Sequence, residues 1–534
     1  MSKYKNSIYA LTSGVLLSLA WTQWMNGLIL MLAYVPLLFV EDNLYRQRHI
    51  NKSVVAFYYS FISFIIWNLA TTWWLAEISK PGMLVIVILN SICMASVFWA
   101  FHFSKRLLGI KTGYFLFVFF WIAFEYLHLN WELSWSWLNL GNGLGKNIEI
   151  IQWYKFTGTL GGSLWILTAN IIILFGLIKI IKFKTFRAGI YNFIVVFLLI
   201  LIPISISFFI FYSDEDKGNP CNIVIIQPNI DPFTEKFDGL NEQEQINLLI
   251  NLAKQKADIS TDYFIAPETA LFKSIWEDKL NINQGVRQII AFLQNYPDAK
   301  FIIGAVTKKK YQIAENRSPV ARKLEGANIY YDEYNSALQI TAGGKIEIYH
   351  KSNLVIGVEK MPFPKTLGFL EKLTIDLGGT NASLDTDDEP VVFSDKAGNC
   401  NIATLICYES VFGEYLNKSV RKGANAVAII TNDGWWGETP GYIQHLRYSQ
   451  IRAIETGRGI ARSANTGISC FINQKGELLQ ASKFGNEDVI KGTISPNSKF
   501  TFYTTNGDYI GRIASFLAVL GILFTIVGAL KKQN

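Results

Sequence analysis

Three segments of this chain end in residues that could do covalent chemistry together. "IATLIC" ends in Cys407, "YFIAPE" in Glu268 and "KIEIYHK" in Lys351. A thiol becomes an effective nucleophile as thiolate, favoured by a nearby cation and by a base that takes its proton. A carboxyl can be that base, and later an acid, if partial burial raises its pKa toward the working range. An ammonium group kept cationic can stabilise the thiolate and then the oxyanion of a tetrahedral intermediate, with backbone N–H groups after the cysteine as co-donors. Such donors are commonly worth about 3–4 kcal/mol in the transition state. Taken singly, each residue has an ordinary reading: a loop carboxylate after proline, a solvated surface charge, a small apolar side chain in a core. His350 adjoins Lys351, but adjacent strand residues face opposite ways, so only one of them can face a shared pocket.

The elements that must position these groups lie between about 220 and 500. "CNIVIIQPNI", "YFIAPETAL", "KFIIGAVT", "YNSALQIT", "IATLICYES" and "NAVAIITNDGWW" read as buried strands ending in polar loops. Amphipathic helix candidates sit between several of them, at 240–257 and 282–297. The alternation predicts a layered α/β domain with helices covering sheets.

The rest of the chain has a different texture. Half of its 534 residues are hydrophobic, 17% are charged and the mean hydropathy is +0.23, which predicts a membrane part beside a water-exposed domain. Apolar stretches near 8–24, 27–40, 55–78, 84–104, 113–129, 158–178, 190–212 and 510–530 are candidate spans, a crossing helix needing roughly 20 residues. The first two are short and allow a tight hairpin broken at Asn26-Gly27. No small-x-small site follows the first, which reads as an uncleaved anchor. Fourteen Lys/Arg fall in alternate loops and tails, against the two acids Glu41 and Asp42. By the positive-inside rule both termini are cytoplasmic and the large segment between spans seven and eight lies outside, periplasmic in a bacterial inner membrane. The net charge of +7 is thus a topology signal, with no nucleic-acid patch to explain. The spans are expected to hold no paired ions, Glu125 being the one acid noticed within them. Trp21, Trp24, Trp73, Trp74, Trp131, Trp135 and Trp137 cluster at the outer ends, as an interfacial belt or as a lipid-accepting rim. Five scattered cysteines without CxxC and five histidines without HExxH predict no metal site.

The order Glu, Lys, Cys, with "APET", "YHKSNL" and "CYES" around them, resembles the nitrilase (carbon–nitrogen hydrolase) superfamily, which uses such a triad on an αββα sandwich. "TNDGWWG", 431–437, resembles the loop that follows the nucleophile there, and "RAIETGRGIARSANTG", 452–467, the downstream helix and strand. A domain of this kind between a seventh and an eighth span resembles the plan of the membrane-embedded branch, the apolipoprotein N-acyltransferases. The resemblance covers nearly the whole chain. It implies spans one to seven in 1–212, a periplasmic catalytic sandwich in 220–500, and helix eight with a cytoplasmic tail in 509–534.

It also implies a ping-pong reaction on a Glu268–Lys351–Cys407 triad, with neither cofactor nor metal. The acyl donor is a glycerophospholipid, typically phosphatidylethanolamine. The acceptor is the α-amine of the diacylglyceryl-cysteine that begins an apolipoprotein. Glu359, in "LVIGVEKMPF", matches a second pocket carboxylate, although the family more often shows Pro and Gly-Glu there. Tyr408 and Glu409 belong to the "CYE" motif; Glu409 orients structure near the nucleophile or Lys351, or makes a structural salt bridge. Phe237, in "DPFTEKF", stands where an aromatic of a mobile arm, usually Trp, is found. Asn335, Asn432 and Trp435 match the pocket's scaffold, and Arg452, Glu455 and Arg458 an internal ion-pair network. Two other readings stay open: a membrane-tethered amidase or nitrilase with a small soluble substrate, and a catalytically inert lipid-binding or transport protein.

Overall fold

The computed structural model describes residues 3–213, 218–236, 239–311, 317–363, 384–394 and 399–533. They fall into two compact units, one of residues 1–213 with 506–534 and one of residues 214–505.

In the first unit seven segments are long and apolar enough to cross a membrane: Gly27–Arg46, Val55–Glu77, Lys80–Leu108, Ile110–His128, Tyr154–Phe183, Ile190–Phe211 and Tyr509–Lys531. The first expected span forms the 17-residue helix Lys3–Leu19, a little under the usual crossing length. The expectation of spans without ion pairs is overturned. Glu41 meets Lys105 Nζ at 2.5 Å and His102 Nδ1 at 2.7 Å, and Lys105 also reaches the Tyr114 hydroxyl at 3.1 Å. All four are buried. A charge sealed among helices is costly unless paired, and these neutralise one another. Lys105 thereby leaves the count of loop cations. Glu125 is buried too, accepting from Trp121 Nε1 at 3.0 Å, the Leu140 amide at 2.8 Å and the Ser163 hydroxyl at 2.5 Å. It ties the 136–144 turns to the helix Tyr154–Phe183. The tryptophans divide: Trp74 and Trp137 pack on one another in the interior, ring centroids 5.1 Å apart, while Trp24 is exposed.

The second unit is built on two sheets. One runs β14(Asp488–Ile494), β1(Cys221–Gln227), β2(Tyr263–Ile265), β4(Lys300–Lys310), β6(Tyr330–Thr341), β5(Arg322–Lys323), with β3(Leu271–Trp276) on β4 and β7(Ile346–His350) on β6. The other runs β13(Leu478–Ala481), β12(Cys470–Ile472), β11(Ile460–Ala464), β10(Ala426–Thr431), β9(Ile402–Ile406), β8(Val392–Phe393). The central strands β1, β2 and β4 are parallel, as are β9, β10 and β11. Parallel strands are covered on both faces, which explains their unbroken apolar runs. Val224, Ile226, Phe264, Phe301 and Ile303 turn to a core shared with the helices Glu242–Lys256 and Gln284–Leu293. Both helices match sequence expectations, the first started by an Asn241–Glu244 capping box. From β2 the Tyr263 hydroxyl crosses to the Cys400 carbonyl before β9, and Ser463 of β11 donates to the Ile226 carbonyl of β1. The two sheets therefore face one another, with helices outside. Segment 318–326 supplies the short edge strand β5.

Candidate active site

Glu268 is delivered by β2. Tyr263–Ile265 are fully interior, and the chain leaves the sheet through Ala266-Pro267 into a turn where Thr269 has φ +48°. The neighbouring strand leaves room for that turn: a Cβ on Gly304 of β4 would lie 2.4 Å from the Thr269 nitrogen and 2.6 Å from Glu268 Cα. Backbone cannot give way as a flexible side chain can. Gly304→Ala is therefore expected to lower stability by about 1–3 kcal/mol, the scale of overpacking a tight core, and to displace Glu268. Thermal unfolding and turnover should fall together.

Lys351 follows β7 directly, its amide donating to the Asn335 carbonyl of β6. Its buried Nζ donates to Glu268 Oε1 at 3.2 Å and to Glu359 Oε1 at 2.9 Å. Asn335 Nδ2 donates to the same two oxygens at 2.8 and 2.9 Å. The second oxygen of each carboxylate is also held, Glu268 Oε2 by the Asn432 amide at 3.1 Å and Glu359 Oε2 by the Val355 amide at 2.8 Å. His350 turns away, as strand alternation predicts, stacking on Tyr334 and bonding Asp387 and Glu277.

The charges in this quartet are set by competition. Burial works against an ammonium at Lys351, but Glu268 and Glu359 outweigh it and hold it firmly cationic. Burial also works against a carboxylate at Glu268, yet Lys351, Asn335 and Lys236 together hold its pKa below the usual range. The expected upward shift is thus reversed, because a buried cation and a donor amide do more than desolvation does. Glu268 rests as the form that can take a proton. Lys236 is a residue the sequence did not flag. It donates to the Glu268 carbonyl at 3.2 Å and to Thr269 Oγ1 at 2.5 Å, and burial brings its pKa down to about 8.

Cys407 follows β9 and opens a tight turn, Cys407–Val411, at φ +51°. For a residue with a Cβ that conformation is strained by about 1–3 kcal/mol. It is buried, and burial together with the Glu268 charge pushes its thiol pKa far up, Lys351 opposing. The resting sulfur is therefore a thiol, its ionisation opposed by the Glu268 charge and favoured by the Lys351 charge.

Glu409 joins the nucleophile's chain to the lysine's. Its Oε2 accepts from the Ile406 amide at 2.8 Å. Its Oε1 accepts from the Ser352 amide at 2.7 Å, the Asn353 amide at 3.2 Å and the Tyr349 hydroxyl at 2.6 Å. Burial pushes its carboxyl up to about 7 against the pull of these donors. No basic side chain sits in that set, so the salt-bridge reading gives way to a bridge between two backbone segments.

Comparison with known proteins places this arrangement. Residues 225–499 match the family model described as carbon-nitrogen hydrolase. The chain belongs to the carbon-nitrogen hydrolase family. Residues 13–172 match a second model, the apolipoprotein N-acyltransferase N-terminal domain. Similar curated proteins, each named apolipoprotein N-acyltransferase, come from Chlorobaculum tepidum (26% identical, 98% of this chain and 96% of that one), Thermotoga maritima (25%, 96% and 92%) and Rickettsia bellii (28%, 92% of each). Among solved structures, an amidase from Nesterenkonia is 15% identical, covering 55% of this chain and 96% of its own at a TM-score of 0.36. A nitrilase-superfamily protein of Saccharomyces cerevisiae is 14% identical, covering 56% and 97% at 0.36.

Within the carbon-nitrogen hydrolase domain, the structure brings Glu268, Lys351, Glu359, Asn335 and Asn432 into one hydrogen-bonded cluster, with Cys407 in its electrostatic reach. Tyr408 is buried edge-on to Phe412, centroids 5.2 Å apart, and Trp435 meets Phe233 edge-on at 5.2 Å. Phe237 lies outside the described residues. Arg452 pairs with Glu455 at 2.9 Å, and Arg458 donates to the carbonyls of Ala424, Thr456 and Lys499.

Proposed function

We propose that this protein is an apolipoprotein N-acyltransferase working through a thioester on Cys407, with Glu268 as proton carrier and Lys351 as oxyanion donor. The observation that supports it most is the pairing, in one chain, of a carbon-nitrogen hydrolase domain with the N-terminal domain of that acyltransferase family. Glu268 takes the thiol proton as sulfur attacks the ester carbonyl of a glycerophospholipid. Lys351 faces the oxyanion that forms. Collapse breaks the ester C–O bond, and the proton on Glu268 passes to the departing lysophospholipid. In the second half the α-amine of a diacylglyceryl-cysteine attacks the thioester and gives a proton to Glu268. The C–S bond breaks, and sulfur recovers its proton. The amide formed is more stable than the ester consumed, so the ester itself drives the transfer.

Phosphatidylethanolamine is the donor we propose, and the bacterial inner membrane the site, with the catalytic domain periplasmic and both termini cytoplasmic. The basis is the alternation of cationic loops and the placement of residues 214–505 between apolar helices in the chain.

The test is an acyl adduct. Purified protein incubated with phosphatidylethanolamine should carry a hydroxylamine-labile acyl group on Cys407, seen by mass spectrometry and cleared by a diacylated lipopeptide. An adduct discharged by water alone would make the protein a hydrolase, and no adduct would remove the covalent mechanism.

A further inference from the structure

Thr431 and Asp433 flank Asn432 at the end of β10. Strands β9 and β10 are parallel and in register, Ile406 beside Ile430, so Cys407 and Thr431 leave the sheet side by side. The Thr431 hydroxyl beside it favours ionisation of the Cys407 thiol and donates to Asp433 Oδ1 at 2.8 Å. A hydroxyl has one proton to give. With that proton on Asp433 at rest, the hydroxyl reaches the sulfur only by turning away from the carboxylate.

Asp433 also reaches the other end of the nucleophile. His445, on the helix Pro440–Thr456, has Nδ1 3.0 Å from Asp433 Oδ1 and Nε2 3.1 Å from the Cys407 carbonyl oxygen. Nε2 also lies 2.8 Å from Ser410 Oγ. Ser410 Oγ donates to the same carbonyl at 2.8 Å. Ser410 and His445 thus both hold the peptide of a residue whose backbone is strained. Asp433 itself is held on its other oxygen by Arg462 at 2.6 Å. Thr431, Asp433, His445 and Arg462 have no solvent exposure, and Arg462 and His445 outweigh the cost of burial and leave Asp433 well below the usual carboxylate range.

We infer that Thr431 is a further catalytic residue, its hydroxyl turning from Asp433 to the Cys407 sulfur as that sulfur becomes thiolate, while Asp433 and His445 act as positioning residues for the nucleophile. The inference rests on the acyltransferase reading above. The S–H bond breaks with its proton going to Glu268. The Thr431 O–H stays intact and exchanges one acceptor, Asp433, for another, the thiolate. Asp433 keeps Arg462 meanwhile. When the S–C bond forms and the sulfur loses its charge, the hydroxyl returns to Asp433. The arrangement supplies a neutral donor where one is needed, since Lys351 already serves two carboxylates.

The experiment compares full-length wild type, Thr431→Val and Thr431→Ser in phosphatidylethanolamine-containing micelles, following the Cys407 adduct by mass spectrometry over a pH series. Valine keeps the shape and removes the hydroxyl. Thr431→Val should slow adduct formation about 10- to 100-fold, the range of one hydrogen bond to a charged group, and move the rate profile to higher pH. KM for the phospholipid should stay unchanged, and serine should restore rate and profile. Where valine is not tolerated, Thr431→Ala gives the same comparison. A Thr431→Val enzyme with the wild-type rate and profile overturns the inference. So does a slow one whose profile is unmoved and which serine fails to rescue. Wild-type protein that forms no adduct overturns the acyltransferase reading instead.

Discussion

Cys407→Ala is expected to abolish the acyl adduct completely while the domain stays folded, and Cys407→Gly to be equally inactive but more stable than the alanine variant. The first half follows from the proposed chemistry: Cys407 supplies the sulfur that is acylated, and neither replacement can attack a carbonyl. The second half follows from the backbone. At φ +51° alanine retains the clash of a Cβ, whereas glycine adopts that conformation freely. Glycine also has more freedom to lose on folding, so the net gain is expected to be small, about 1 kcal/mol or less, read as a melting point up to a few degrees higher. A glycine variant melting below the alanine variant would show that the turn is not under strain.

Lys351→Met is expected to cut adduct formation by at least about 10²- to 10³-fold, the loss seen when one oxyanion donor is removed, and to change its pH dependence. Methionine fills nearly the same volume without the charge. Glu268 and Glu359 would then share Asn335 Nδ2 with no cation between them. Two carboxylates so placed cannot both stay ionised, and one takes a proton. Glu268 now has its pKa held down chiefly by Lys351, so the base is ready at neutral pH. Without the lysine its pKa rises, and residual activity should require more alkaline solution than the wild type does. Stability should respond in the opposite sense, two buried like charges weakening the fold as pH rises through their ionisation. A Lys351→Met enzyme of near-normal rate with an unchanged pH profile would remove the lysine from the mechanism.

The framework of this site was legible because its chemistry-bearing residues end apolar runs that strand periodicity picks out. "YFIAPE", "KIEIYHK" and "IATLIC" each place one group just beyond a strand, and β2, β7 and β9 end where those runs end. What the sequence withheld was the company these groups keep. Nothing about "APET" says that a lysine 83 positions later will lie 3.2 Å away and reverse the expected shift of Glu268. Nor does "CYES" say that Glu409 collects three backbone amides. Gly304 looks like any strand glycine until the Glu268 turn is seen pressed against it. The membrane part shows the same limit. Loop counting assigns Lys105 by its place in the sequence, but a lysine near a helix end can turn inward, and only the position of Glu41 on another helix reveals that it does.

The Glu409 bridge has a consequence for a transfer in two stages. One carboxylate grips the residue before the nucleophile and the two residues after the lysine, so sulfur and ammonium are set at a fixed gauge. They cannot drift apart when the first product leaves and a bulkier partner arrives. An ester of glycerol and an amine of a modified cysteine must both be measured by that single ruler. Whatever allowance the two visitors need for their different shapes has to come from the surrounding walls, leaving the reacting pair as the one part of the machine that stays still.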